Sequence, residues 1–354
     1  MIVIRGQDND MDIENSKIIK FTKHAYDTAS KVIPEYSSKY SRKDFNQWQH
    51  MALICVMIKT KQKWEDFPDL LANMPYVCES IGLEKIPHFT TPNKFFLRMK
   101  NKVLLVMILM SAGRFSGLAS IDATGLDRRH NSKHYVKRCK ITIKSMKLTL
   151  LIDTKEMKII GIHCTATRKH DTQIILPLLK KTRQRIKELC GDKGYDSKEV
   201  RKPLKQDGTR VLVPYREFTQ KQKYWNSMFD KKAYHQRSKS ECVNSVIKRK
   251  YKDFLSSHEW NNQHKEAALL CVVYNIDRDV KKGLIYLIGF LRSQTLLISH
   301  AKRRRVHGAW HPKYIAQQLR NSRLLEDKKF FALVKKDKSL SAMLREEYFE
   351  KMGV

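Results

Sequence analysis

Acidic residues are scarce in this sequence. Its 354 residues include 36 Asp and Glu against 70 Lys and Arg, a formal charge of +34. An excess of that size, spread along the chain, points to a polyanionic partner, nucleic acid before others. The plainer reading is a basic protein that holds RNA or DNA loosely. Long apolar runs are also missing. The longest, Gly283 to Leu291, is far short of the roughly 20 residues that span a bilayer, so no membrane partner is expected. Met1 to Asn15 has no apolar signal core, which argues against secretion. The seven cysteines are odd in number and scattered, and no Cys-x2-Cys occurs. That pattern suits free thiols in a reducing cytosol. His130/His134 and His307/His311 have finger-like spacing, but neither pair has a cysteine pair upstream, so no zinc site is expected. What the chain does have is a 42% hydrophobic content. This is enough for a real core, and it excludes a disordered or histone-like arm. The length suits two or three domains.

Along the chain, residues 1–40 read as a mixed, polar lead-in. From 41 to 112 the pattern is helical: Phe45, Trp48, Met51, Ala52 and Cys55 recur at helical spacing, Trp64 to Leu71 suggests a short helix, and Thr91-Pro92 reads as a helix start. Such a segment suits a small DNA-binding domain or a plain helical bundle. Near Gly113 the texture changes. Leu118 to Leu126, Leu148 to Asp153, Ile159 to Thr165, Leu189 to Asp192 and Arg210 to Pro214 read as strands. Asp171 to Leu189, Ser197 to Gln206, His235 to Tyr251 and Asn262 to Val280 read as helices, with Pro177 implying a kink or a later start in the first of these. Strands first, then strands alternating with helices, predict a mixed α/β sheet over 113–280. Residues 281–354 form a basic, helical extension of no assigned role. It includes the run Ala301 to Arg305 and an amphipathic stretch from Phe330 to Tyr348.

Three carboxylates stand out. Asp122 lies inside a strand-like run, where alternation puts Leu118, Ser120, Asp122 and Thr124 on one face. A carboxylate in mid-sheet is costly unless something pairs with it; the alternative is an edge strand with Asp122 facing water. Asp192 ends another strand, in Cys190-Gly-Asp-Lys-Gly-Tyr-Asp196. Loops after strand ends are where α/β sheets place their chemistry, although a plain Asp-x-Gly turn explains the residue equally. The third piece is a helix. At about 100° per residue, Tyr234, Arg237, Glu241 and Lys248 share one stripe, while Val243, Val246 and Ile247 lie opposite. One face packs on the sheet edge or a neighbouring helix. The other presents a carboxylate between two cations and a phenol, or else a solvated face of i,i+4 ion pairs.

Taken together, Asp122, Asp192 and Glu241 are a donor set for two divalent ions about 4 Å apart, and Mg²⁺ favours such hard oxygen ligands. One ion activates a water or 3′-hydroxyl and the other stabilises the leaving oxygen at phosphorus. Arg237 and Lys248, with Tyr234 beside them, are the expected DNA-phosphate contacts.

At these residues the chain resembles the insertion-sequence transposases of the DDE type, specifically the large group of insertion-sequence families four and five. That group's signature, Tyr-x2-Arg-x3-Glu-x6-Lys, is matched without a gap by Tyr234, Arg237, Glu241 and Lys248. Asp122 in Ile-Asp-Ala-Thr-Gly and Asp192 in Asp-x-Gly-Tyr-Asp resemble its two aspartates. His170-Asp171 and His134-Tyr135-x2-Arg138 also resemble the family. The resemblance covers residues 40–280. It implies an RNase H-like fold, a five-stranded mixed sheet flanked by helices, preceded by an all-helical DNA end-binding domain. It further implies catalysis by Asp122, Asp192 and Glu241 with two Mg²⁺ or Mn²⁺ ions, cleavage of double-stranded DNA at element ends, and strand transfer into a target. Such enzymes usually work as dimers or larger assemblies on DNA, and the resemblance also implies a cytoplasmic, nucleoid-associated protein of a prokaryote. Only 49 residues separate Asp192 from Glu241. That leaves little room for the large β insertion of some relatives, so no hairpin or base-flipping role is expected, and Trp225 reads as a loop anchor. Two other functions stay open: a DNA-binding protein that kept the fold but lost transposition, and an RNase H-like nuclease.

Overall fold

The computed structural model describes residues 16–128, 137–138, 145–166, 169–182 and 184–303, with 284–303 described by backbone alone. Outside them lie His130, His134, Tyr135 and Cys139, the pair His307/His311, Arg304 and Arg305 of the basic run, and the stretch Phe330 to Tyr348. Two compact units divide the chain, Met1–Ile285 and Tyr286–Val354. The sheet and the core belong to the first.

The first elements are all helical: α1 Lys17–Ser30, α2 Gln47–Thr60, α3 Phe67–Ala72, α4 Pro75–Glu79, α5 Thr90–Arg98 and α6 Asn101–Ala112. A capping box starts α2. Asn46 accepts from the Gln49 N–H at 2.8 Å, and Gln49 Oε1 accepts from the Asn46 N–H at 2.9 Å. Every residue from Gln49 to Ile58 is buried. The helix is therefore enclosed on all sides, where the apolar stripe suggested a single buried face. Residues 17–30, inside the expected lead-in, form α1 and lay Phe21, Ala25 and Ala29 fully buried against the core. This i,i+4,i+8 stripe is narrow and set among lysines, so it reads as polar. α5 begins at Thr90, which places Pro92 in the first turn, where a missing N–H costs nothing.

The sheet follows: β1 Leu118–Asp127, β2 Ser145–Asp153, β3 Lys158–Thr165, β4 Glu188–Cys190 and β5 Arg210–Leu212, in the spatial order β3-β2-β1-β4-β5. β2 pairs antiparallel with both β1 and β3, while β4 pairs parallel to both β1 and β5. With helices on both faces, this is the RNase H-like α/β fold. Between the strands lie α7 Asp171–Thr182 and α8 Lys198–Gln206; after β5 come α9 Gln220–Ser227, α10 Lys231–Tyr234, α11 Ser238–Lys250 and α12 Trp260–Arg303. α7 starts where expected and keeps Pro177 inside it, but ends seven residues before Leu189. α9, which the strand and helix patterns did not indicate, starts at a second capping box formed by Thr219 and Gln222.

Two cores flank the sheet. On one face Ala119, Ile121, Leu151 and Leu189 pack with Ile175 and Leu178 of α7 and with Val200 and Leu204 of α8. On the other, Leu126, Met146, Leu148, Leu150 and Ile152 join α11, α12 and the N-terminal helices in one continuous cluster. α12 also closes the free edge of β3. Asn275 Oδ1 accepts from the Ile159 N–H and its Nδ2 donates to the Ile159 carbonyl, both at 2.8 Å. At Ile159, therefore, the edge strand offers no free backbone groups to another chain.

The approach of α7 to β3 depends on Gly161. A Cβ there would lie 2.3 Å from Thr182 Cγ2 and 3.3 Å from Leu178 Cδ1. Gly161→Ala is expected to cost about 1–3 kcal/mol through overpacking, seen as a lower urea midpoint at unchanged slope. An unchanged midpoint would mean that α7 shifts freely.

Candidate active site

The site forms where β1 and β4 run parallel. Their register pairs Leu118 with Glu188, Ala119 with Leu189 and Ser120 with Cys190. Asp122 and Asp192 each lie two residues beyond the last of these pairs. Asp122 stays within β1 and Asp192 follows β4 as the cap of a 3₁₀ turn, so both lie at the carboxyl end of β4.

α11 lies along β1 because two spacings match. Ser240 Oγ is 3.0 Å from Ser120 Oγ, and Asn244 Nδ2 donates to Asp122 Oδ2 at 2.9 Å. Two strand residues advance about 6.6 Å and four helical residues about 6 Å, so the i,i+2 pair on the strand meets the i,i+4 pair on the helix. Val243 and Ile247 are fully buried beside them. The helix thus rests on the face of the sheet over β1 and β2, rather than on its edge, and Val246 is only half-buried. Glu241 follows Ser240 around the helix and is exposed. Arg237 Nη2 meets Glu241 Oε1 at 2.7 Å and Arg237 lies over the Tyr234 ring at 5.9 Å. Tyr234, Arg237 and Glu241 do not belong to one continuous helix as expected, because a 3₁₀ turn, His235–Arg237, separates α10 from α11. Lys248 lies seven residues beyond Glu241, about 10 Å along the axis. Among the described residues it has no hydrogen bond or ion pair.

The loop bearing Asp192 is buttressed from three sides. Asp192 Oδ1 accepts from the Lys193 N–H at 2.8 Å and caps the 3₁₀ turn Lys193–Tyr195. Gly191 is confined, since a Cβ there would come within 3.1 Å of Ile121 Cγ2 and 3.2 Å of Val213 Cγ2. Tyr195 is buried in the core under the loop. Asp196 pairs with Arg201 at 2.6 Å and accepts from the Arg216 N–H at 2.8 Å. The Arg216 guanidinium in turn donates to the Lys193 and Gly194 carbonyls, at 3.3 and 3.2 Å, and meets His170 Nε2 at 3.3 Å. Asp171 pairs with Lys147 at 2.6 Å. Trp225 packs on Tyr215 with ring centroids 4.9 Å apart, and Arg201 lies over the same Tyr215 ring at 3.7 Å.

Electrostatics tie these pieces into one neighbourhood. Burial raises the Asp122 pKa, and the Glu241 charge raises it further. The Ala123 backbone, the Asn244 amide and Arg237 pull it down without cancelling the shift. Burial opposes the charge on Arg237, but Tyr234, Glu241, Asp192 and Asp122 together hold its pKa above the usual value. Arg237 therefore senses all three candidate acids. Burial also raises the pKa of Tyr195, and the charges of Asp171, Asp122 and Asp192 add to the shift. Among the described residues, however, no group of three or more His, Cys, Asp or Glu side chains converges as a metal cage. Glu241 is turned toward Arg237 instead. By chemistry the three carboxylates are hard oxygen donors and suit Mg²⁺ or Mn²⁺.

Residues 113–276 match the family model described as the transposase DDE domain. The chain carries a DDE-transposase-like domain. It includes Asp122, Asp192, Tyr234, Arg237, Glu241 and Lys248, and begins as the helical region ends. No curated protein matches the chain. Among solved structures, the cryo-EM piggyBac transposase synaptic complex with hairpin DNA aligns over 96% of this chain and 82% of its own, at 13% identity and a TM-score of 0.40. That similarity is too distant to add to the domain match. No helix among the described residues is long and apolar enough to cross a membrane.

Residues missed from the sequence also work in the DDE-like domain. Asn244 contacts Asp122, and Arg216 clasps the Asp192 loop. Asn244 was legible, since it falls on the same helical arc as Ser240, Val243 and Ile247. Arg216 was not, because its partners lie 22 to 46 residues away.

Proposed function

We propose that the chain is a transposase that cuts double-stranded DNA at the ends of an insertion sequence and joins the freed 3′ ends to a target. The observation that carries this reading is that Asp122 in β1 and Asp192 just past β4 lie beside the ion pair of Glu241 on α11 and Arg237 in the turn before it, inside a domain that matches the DDE family model. Asp122, Asp192 and Glu241 are the residues that would hold Mg²⁺ or Mn²⁺. Bound there, a pair of such ions supplies an activated water or 3′-hydroxyl and charge stabilisation at the leaving oxygen.

The chain's own groups divide the remaining work. Glu241 would hold the metal in place of its Arg237 partner, and the Arg237 fork would then be available to a DNA phosphate. Tyr234 stays beside Arg237 and limits the fork's swing. Lys248, with no partner among the described residues, holds a phosphate two helical turns further along the strand. The helical region preceding the sheet serves as the end-recognition domain, and the protein acts as a homodimer or larger assembly on DNA at the nucleoid. A charge of +34 draws the DNA in and makes binding salt-sensitive.

Purified protein mixed with the DNA flanking its own gene should release the element with Mg²⁺ or Mn²⁺ present, and chelation should stop release without detaching the protein. Binding without any metal-dependent cut would instead support a DNA-binding protein that has lost transposition. Lys248→Ala is expected to weaken assembly on the ends about tenfold while leaving Mn²⁺ binding intact. Unchanged assembly would count against its phosphate role.

A further inference from the structure

We infer that Asn244 is a positioning residue for the acid pair, fixing the orientation of the Asp122 carboxylate with its amide nitrogen. The inference rests on the transposase reading of the site. It starts from an imbalance in the hydrogen bonding of Asn244. Asn244 is 7% exposed, and its Nδ2 donates to Asp122 Oδ2 at 2.9 Å. Its Oδ1 is buried and has no hydrogen-bond partner. An ionised carboxylate only accepts, so the amide nitrogen must face Asp122, and this fixes the direction of the oxygen. A buried polar atom without a partner is destabilising, and native structures keep few of them.

Placement of the helix does not explain the amide. α11 is already held on the sheet by buried Val243 and Ile247 and by the Ser240–Ser120 hydroxyl pair. A leucine of similar shape at 244 would remove the unpartnered oxygen but would also take the donor from Asp122 Oδ2, so packing alone does not account for the amide. What an amide adds is a fixed orientation for the Asp122 carboxylate. Groups that orient metal ligands from behind typically change metal affinity 10- to 100-fold when removed.

The test uses the full chain without DNA and titrates Mn²⁺ against the free-ion paramagnetic signal, with thermal melting in parallel. Wild type, Asn244→Leu, Ser240→Ala and Asp122→Asn are compared. The expected result is that Asn244→Leu, titrated at a temperature where every variant is folded, binds Mn²⁺ about tenfold more weakly or worse, while Ser240→Ala binds like wild type. Unchanged Mn²⁺ affinity in Asn244→Leu overturns the proposal. So does a parallel loss of melting temperature and affinity in both Asn244→Leu and Ser240→Ala, which marks a packing role. If Asn244→Leu alone melts lower, Asn244→Ala decides. Weak Mn²⁺ binding with a wild-type melt supports the proposal, and normal binding overturns it. If wild type and Asp122→Asn bind Mn²⁺ equally, the metal reading of the site has failed first and the role of Asn244 falls with it.

Discussion

Alanine at Asp122, Asp192 or Glu241 is expected to lower DNA cleavage on the order of a thousandfold or more, with DNA affinity unchanged. Each residue supplies a donor that the others cannot replace, so single losses should be nearly as severe as the triple loss. The structure also sets how each variant should behave as a folded protein. Glu241 is exposed and, among the described residues, pairs only with Arg237, so Glu241→Ala should melt like wild type. Asp192 caps its 3₁₀ turn through Oδ1. Asparagine keeps that acceptor, which makes Asp192→Asn the cleaner substitution. Asp122→Ala differs, because it strands the buried Asn244 amide nitrogen and should cost about 1–3 kcal/mol of stability. Cleavage assays beside fluorescence-based DNA binding separate these effects. Parallel loss of binding in all three variants would assign the acids a folding role.

Asp277→Ala is expected to destabilise the first compact unit by about 3–5 kcal/mol. Asp277 lies on α12 with its side chain 7% exposed, and it pairs with Lys59 of α2 and Lys250 at the end of α11. Lys281 approaches at 3.7 Å. One carboxylate thus joins the N-terminal helices to the helix bearing Glu241. Removing it leaves two partly buried ammonium groups facing each other without a counter-charge. Burial pushes the Asp277 pKa up, but hydrogen bonds and charge from Lys250 and Lys59 outweigh it and hold the pKa below the usual carboxylate value. A depressed carboxylate stabilises the fold above its unfolded pKa, near 4, and loses that contribution as the pH falls through the folded value. The wild-type advantage over Asp277→Ala should therefore be full at pH 7 and shrink below about pH 4. Urea unfolding at both pH values checks this. A difference under about 1 kcal/mol at pH 7 would show the network to be solvated.

How far the sequence revealed this site depends on the range of the forces involved. The strands and the face shared by Ser120 and Asp122 follow from period-two alternation, a local property, and the structure places Ser120 against Ser240 as that alternation requires. The buried arc of Val243 and Ile247 follows equally from helical period. Two local signals were legible but unread. Thr219 and Gln222 have the spacing of a capping box and start α9. Asn244 shares an arc with apolar residues, where an amide is out of place. α1 was hidden because its buried positions are few and set among lysines. The Arg216 clasp, the Asn275 cover over β3 and the Asp277 junction join residues far apart in the chain. No periodicity encodes such contacts, since they depend on the tertiary approach of elements whose own patterns are satisfied without them.

Joining is the step that separates a transposase from a nuclease of the same fold. The most direct measurement supplies a labelled, pre-cleaved element end with a free 3′-hydroxyl, a supercoiled target plasmid and Mg²⁺ or Mn²⁺, with wild type run beside Asp192→Asn. The account predicts that wild type alone moves the label covalently into the plasmid, and that chelation prevents it. Nicking of the plasmid without transfer of label, or equal transfer by Asp192→Asn, would contradict it.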